Sequence, residues 1–97
     1  MSEEPIELCC LLRAREGRAE ALHAYEDRVL ALIEEHGGEV VRRALAATPD
    51  QPDEVQLFRF PSQTAVDAYL ADDRRTSLAT ERDAAVARTE LFPVRIG

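Results

Sequence analysis

Between Ile6 and Arg13 two sets of side chains alternate. Glu7, Cys9, Leu11 and Arg13 fall on one side of an extended segment, and Ile6, Leu8, Cys10 and Leu12 on the other. A carboxylate, a thiol and a guanidinium on one face offer a base, a nucleophile and an anion binder. A cysteine at a strand centre also serves simply as a small buried hydrophobe, and a nucleophilic role needs a neighbouring base and a lowered pKa. Cys9 and Cys10 are adjacent, so a disulfide between them would distort the backbone, and no CxxC motif is present. His23 and Asp27 stand four apart and would share a helix face. Two ligands do not make a metal site, and a solvated surface pair is the alternative. His36 precedes Gly37-Gly38, where it would meet the carbonyls and dipole of a helix end. The chain shows no Ser-His-Asp order, nucleophile elbow or phosphate loop. No metal and no cofactor are expected.

All twelve basic residues are arginine, which excludes Schiff-base chemistry and a lysine base. Nineteen acidic residues bring the net charge to −7, contrary to the basic footprint that nucleic-acid binding needs. No apolar run reaches the roughly 20 residues of a membrane span. The Met1-Ser2-Glu3-Glu4-Pro5 start lacks the basic and apolar regions of a secretory signal, so the cytoplasm is the expected compartment. Ninety-seven residues make one domain, 1–97, with a thin stability margin that a partner subunit would widen.

The elements that must position these groups follow from periodicity. Ile6–Arg13 reads as a strand. Gly17 to about His36 reads as an amphipathic helix burying Leu22, Tyr25, Val29, Leu32, Ile33 and His36, with Glu20, Asp27, Glu34 and Glu35 mainly off that stripe and Gly37-Gly38 as its stop. Glu39–Ala47 is a second strand, with Arg42-Arg43 mid-run suiting an edge or an interface. A Pro- and Asp-rich loop follows, then a third strand, Glu54–Phe60. Ser62 caps a helix through Leu70, Asp72-Asp73 breaks it, a second helical piece covers about Arg74 to Ala87, and Thr89–Ile96 is the last strand. The order β-α-β-β-α-β is the ferredoxin-like split βαβ, an α+β fold with a four-stranded antiparallel sheet and helices on one face. The uncovered face would exceed the apolar patch a soluble monomer tolerates, which points to a two-fold homodimer with its sheets closed over each other.

Leu57-Phe58-Arg59-Phe60-Pro61-Ser62, then Ala65, Ala68-Tyr69-Leu70 and Arg82-Asp83-Ala84-Ala85 resemble the DUF1330-type proteins of the dimeric α+β-barrel superfamily. Asp72-Asp73-Arg74-Arg75 departs from that pattern, lacking the tyrosine the family often has there. The superfamily also includes antibiotic-biosynthesis monooxygenases, muconolactone-isomerase-like proteins and stress-response barrels. The resemblance therefore implies a cavity for a small organic molecule, or no catalysis at all.

The resemblance places Phe58 and Phe60 under the helices, so Val55, Leu57 and Arg59 should join Glu7, Cys9, Leu11 and Arg13 on the helix-free face. In the catalytic reading Glu7 is the base and Arg59 the oxyanion partner, with Cys9, Leu11, Arg13, Val55 and Leu57 lining the substrate site. The alternative is an inter-subunit Arg–Glu pair at the barrel rim. At the level of function, a cofactor-free isomerase or monooxygenase stands against a non-catalytic barrel that binds a metabolite or a protein. A desolvated carboxylate in a cavity favours the enzyme. The facing of Arg43 and Arg95 is open.

Overall fold

The period-two and period-3.6 patterns become, in order, β1 (Ile6–Ala14), α1 (Ala19–Leu30), β2 (Glu39–Leu45), β3 (Glu54–Phe60), α2 (Gln63–Leu70), α3 (Asp73–Thr76), α4 (Ala79–Ala85) and β4 (Val86–Pro93). This computed structural model describes residues 4–97; of the N-terminal stretch read above, residues 1–3 lie outside the described residues. The strands form one antiparallel sheet in the order β2-β3-β1-β4. Leu8, Cys10, Leu12, Phe58 and Phe60 of the sheet pack against Leu22, Tyr25, Val29, Ile33, Val66, Tyr69 and Ala85 of the helices. The α+β architecture expected from the sequence holds.

Its boundaries differ most in three places, while β2 and β4 also end earlier than expected, at Leu45 and Pro93. The first helix stops at Leu30, and a separate 3₁₀ turn, Glu34–His36, leads to Gly37. Gly37 takes φ 78, which glycine adopts without steric cost. Gly38 sits against the core, and a Cβ there would lie 2.8 Å from Ile33 Cγ2 and from the Phe60 ring. The second helical region is three pieces. Ser62 caps α2 by accepting from the Ala65 N–H, and Asp72 caps α3 by accepting from the Arg74 N–H, which restarts the chain in a new direction. The last strand begins at Val86 rather than Thr89, because β1 runs on to Ala14 and pairs with it there.

β2 is an edge strand, as its arginines suggested, and it carries a bulge. Val40 pairs with Phe58 and Arg42 with Leu57, leaving Val41 as the extra residue. Arg43 then pairs with Gln56, so its side chain lies on the helix side and Arg42 on the open side.

Candidate functional site

β1 and β3 oppose Glu7 to Arg59, Cys9 to Leu57 and Leu11 to Val55. All seven residues singled out in the sequence, Arg13 included, therefore share the helix-free face. Arg59 donates from Nε and Nη2 to Glu7 Oε2 at 3.1 and 2.9 Å, and from Nη1 to Glu39 Oε2 at 3.3 Å. The Glu7–Arg59 pair forms within one chain, since the two residues are register partners. Glu7 Oε1 accepts from the Ile96 N–H at 3.1 Å. That backbone donor, then Arg59, holds the Glu7 carboxyl below the usual carboxylate range. Cys9 is buried, though slightly less than Cys10, because Leu57 and Phe92 flank it across the sheet. Burial pushes both thiols up, Cys10 to about 12.

A second set of polar residues lies on the other face, under the helices. Alternation in β3 that puts Phe58 and Phe60 in the core also puts Gln56 and Glu54 there, 1% and 0% exposed. Glu26, four residues after the core Leu22, faces them from α1 and is 5% exposed. The Gln56 amide donates to Glu26 Oε1 at 2.8 Å and to Glu54 Oε2 at 2.9 Å. Glu54 is ion-paired with Arg43, whose Nε donates to Oε1 at 2.7 Å. Arg43 also reaches Asp27 Oδ1 at 2.5 Å and the His23 carbonyl at 3.2 Å. His23 Nδ1 stands 3.2 Å from Glu54 Oε1, without the alignment of a hydrogen bond. His23 and Asp27 are thus linked through Arg43 and Glu54, with Asp27 itself exposed to solvent.

This network borders a cavity of about 50 Å³ between sheet and helices, walled by Leu8, Cys10, Leu12, Phe58, Val66 and Tyr69 and edged by Arg75, Arg82, Thr89 and Leu91. Thr89 and Leu91 are on the β4 edge, where Arg82 donates to the Thr89 hydroxyl at 3.2 Å. Two residues that line the cavity each hold a buried polar atom without a hydrogen-bond partner, Gln56 Oε1 and Arg75 Nε. Arg75 lies over the Tyr69 ring, 5.2 Å from its centroid. Burial, and then the neighbouring Glu54, raise the Glu26 carboxyl above the ordinary carboxylate range against the lowering hydrogen bond from Gln56. Burial pushes the Tyr69 phenol up to about 12. The arrangement combines an apolar slot, a basic carboxyl, a free amide oxygen and a guanidinium.

His36 also differs from its expected role at a helix end. Its Nε2 lies 2.8 Å from Asp72 Oδ2, and Arg74 donates to both Asp72 and Glu35. This cluster fastens the end of α2 to the turn after α1. Arg95 lies beyond β4, beside Val41, Arg42 and Leu57 on the open side. Among the described residues no group of three or more metal-ligating side chains occurs, and no helix is long and apolar enough to cross a membrane.

No family model matches the chain, and no curated protein matches it. Solved structures do. A protein of unknown function from Rhodopseudomonas palustris is 25% identical over 97% of this chain and 83% of its own, with a TM-score of 0.78. SnoaB, a cofactor-independent oxygenase from Streptomyces nogalater, is 19% identical over 97% of this chain and 96% of its own, at 0.69. A dimeric protein of unknown function and ferredoxin-like fold from Bacteroides fragilis is 9% identical over 99% of this chain and 100% of its own, at 0.74. The strand order, the one-sided helices and these likenesses together establish the ferredoxin-like α+β fold, shared with a cofactor-independent oxygenase and a dimeric protein.

Proposed function

We propose that the chain is a cytoplasmic homodimeric α+β barrel that takes a small organic molecule into the cavity between sheet and helices and moves a proton on it. One observation carries this reading: a carboxyl, Glu26, is buried against an apolar cavity with its basicity raised. A base of this kind removes a proton next to a carbonyl, and Arg75 is the group available to steady the resulting oxyanion. Return of the proton at another carbon is an isomerisation. Reaction of the carbanion with dioxygen as co-substrate is an oxygenation, the class of reaction named for SnoaB. The helix-free face, with Cys9, Leu57 and a 39% exposed Phe92, supplies the surface for the second copy.

The test is deuterium uptake at the carbon α to the carbonyl of acetoin in D₂O. Glu26→Gln should lower the protein-dependent rate by roughly 10² or more. Equal rates for the two proteins would remove Glu26 from the chemistry.

A second reading keeps the site on the helix-free face, with Glu7 as base, Arg59 as anion binder and Cys9, Leu11, Arg13, Val55 and Leu57 around them. The observation in its favour is an open groove of about 560 Å³ along Arg42, Leu57 and Ile96, next to the Glu7–Arg59 pair. Amide shifts confined to these residues on acetoin titration would move the site there. A barrel that binds the molecule without transforming it would show shifts at the cavity and no deuterium uptake.

A further inference from the structure

The amide of Gln56 is 1% exposed and has both of its protons committed. One goes to Glu26 and one to Glu54, and Glu54 is itself fixed by Arg43. Turning the amide over would set its oxygen against two carboxylate groups, so the carboxylates decide which end faces them. The oxygen is left with no partner in the protein, on a residue that lines the cavity. A buried acceptor without a donor costs free energy, and a ligand that supplies the donor recovers it.

We propose that Gln56 is the specificity-determining residue of the cavity, a fixed acceptor that selects molecules presenting an O–H or N–H, and that the Arg43–Glu54 pair is the positioning device that keeps it an acceptor. The proposal rests on the cavity being the binding site. It assigns Arg43, outside the cavity, an effect on selectivity through the orientation of one amide. The cavity is small, with room for roughly three to five waters at 10–15 Å³ each. A larger ligand places its donor inside and its remaining bulk toward the Thr89–Leu91 edge.

Phenol and toluene are matched in size and differ in the donor. Each is titrated into the intact protein, with amide and side-chain resonances of Cys10, Gln56 and Tyr69 as the readout. Phenol should bind about tenfold tighter than toluene. Arg43→Lys, which keeps a cation at Glu54, should retain the preference, and Arg43→Met should reduce it to about threefold or less by freeing the amide to turn. Equal affinities in the wild-type protein, with cavity resonances moving, would overturn the acceptor role and leave the cavity reading intact. Cavity resonances unmoved by either compound would overturn the cavity reading as well. A preference undiminished in Arg43→Met would overturn the positioning role. Should that variant not fold, the wild-type ratio decides the acceptor role, and side-chain exchange decides the lock. Slow exchange of both Gln56 amide protons supports it, and fast exchange overturns it.

Discussion

Glu26 and Arg59 lie on opposite sides of the same sheet, one carboxyl on α1 sealed against it and one guanidinium on β3 half open to solvent. Each belongs to a network of acids and arginine, yet the two networks differ in what they can do. On the open face Arg59 is paired with both Glu7 and Glu39, and the Glu7 carboxyl is made less basic. Under the helices the partner of Glu26 is a neutral amide, and its carboxyl is made more basic.

Glu26→Gln should stabilise the protein at neutral and higher pH. The folded-state pKa of Glu26 is raised, so the folded form binds its proton more readily than the unfolded chain does. The cost of ionising it is absent below the ordinary carboxylate range, appears as pH climbs through that range, and is complete above the folded pKa. A glutamine keeps the acceptor for Gln56 and removes the charge. Thermal melts should show a gain of about 0.5–2 kcal/mol at pH 8 that shrinks toward pH 4. A loss at pH 8 would contradict the buried-charge account.

Arg59→Leu should leave the fold intact and lower the melting temperature only slightly, because the pair is solvent-accessible. The Glu7 pKa is lowered, so whatever stability the pair adds is present above the usual carboxylate range and disappears as pH falls below it. Melts of both proteins at pH 7 and pH 3 check this, and a gap that widens on acidification would refute it.

Gly38→Ala should destabilise by about 1–3 kcal/mol, since the new methyl meets Ile33 and Phe60 at 2.8 Å in a packed core. Urea unfolding measures it. Gly17 has open space at the same atom, and its φ of 73 is what a substitution there would strain.

Both thiols should resist labelling at pH 8 in the folded protein, Cys10 more strongly than Cys9, and both should react at once in denaturant. Faster native labelling of Cys10 would contradict its place beneath the helices. Light scattering on a size-exclusion peak checks the proposed homodimer, and a mass near 10.8 kDa would refute it.

The fold was legible because its signals are periodic. Alternation in Ile6–Leu12 and the Leu22-Tyr25-Val29-Ile33 stripe each specify one buried face, and the structure buries those residues. The open-face residues were legible for the same reason. The apolar cavity walls were legible too, but the polar residues beside them were not. Once Phe58 and Phe60 are inward, period two sends Gln56 and Glu54 inward as well, and Leu22 plus one helical turn sends Glu26 to join them. Polar identity overrode position in that reading, though a buried polar residue is the more informative observation. Arg43 was beyond reach, since its facing depends on the bulge at Val41, and the Arg42-Arg43 stretch carries no clean alternation from which to place one. The partnership of His36 with Asp72 joins distant parts of the chain and has no local signal.

That bulge has a consequence for tolerance to error. With Val41 counted as extra, Arg43 enters the interior; had β2 paired without it, Arg42 would occupy the place opposite Gln56. Two consecutive arginines therefore guarantee a counter-charge for the sealed Glu54 in either alignment. A slip of one residue along this edge exchanges which arginine is inside and leaves the interior neutralised. Deleting Val41, the unpaired residue, is milder still than such a slip, because Arg42 stays opposite Leu57 and Arg43 opposite Gln56, whereas replacing Arg43 takes the cation from Glu54.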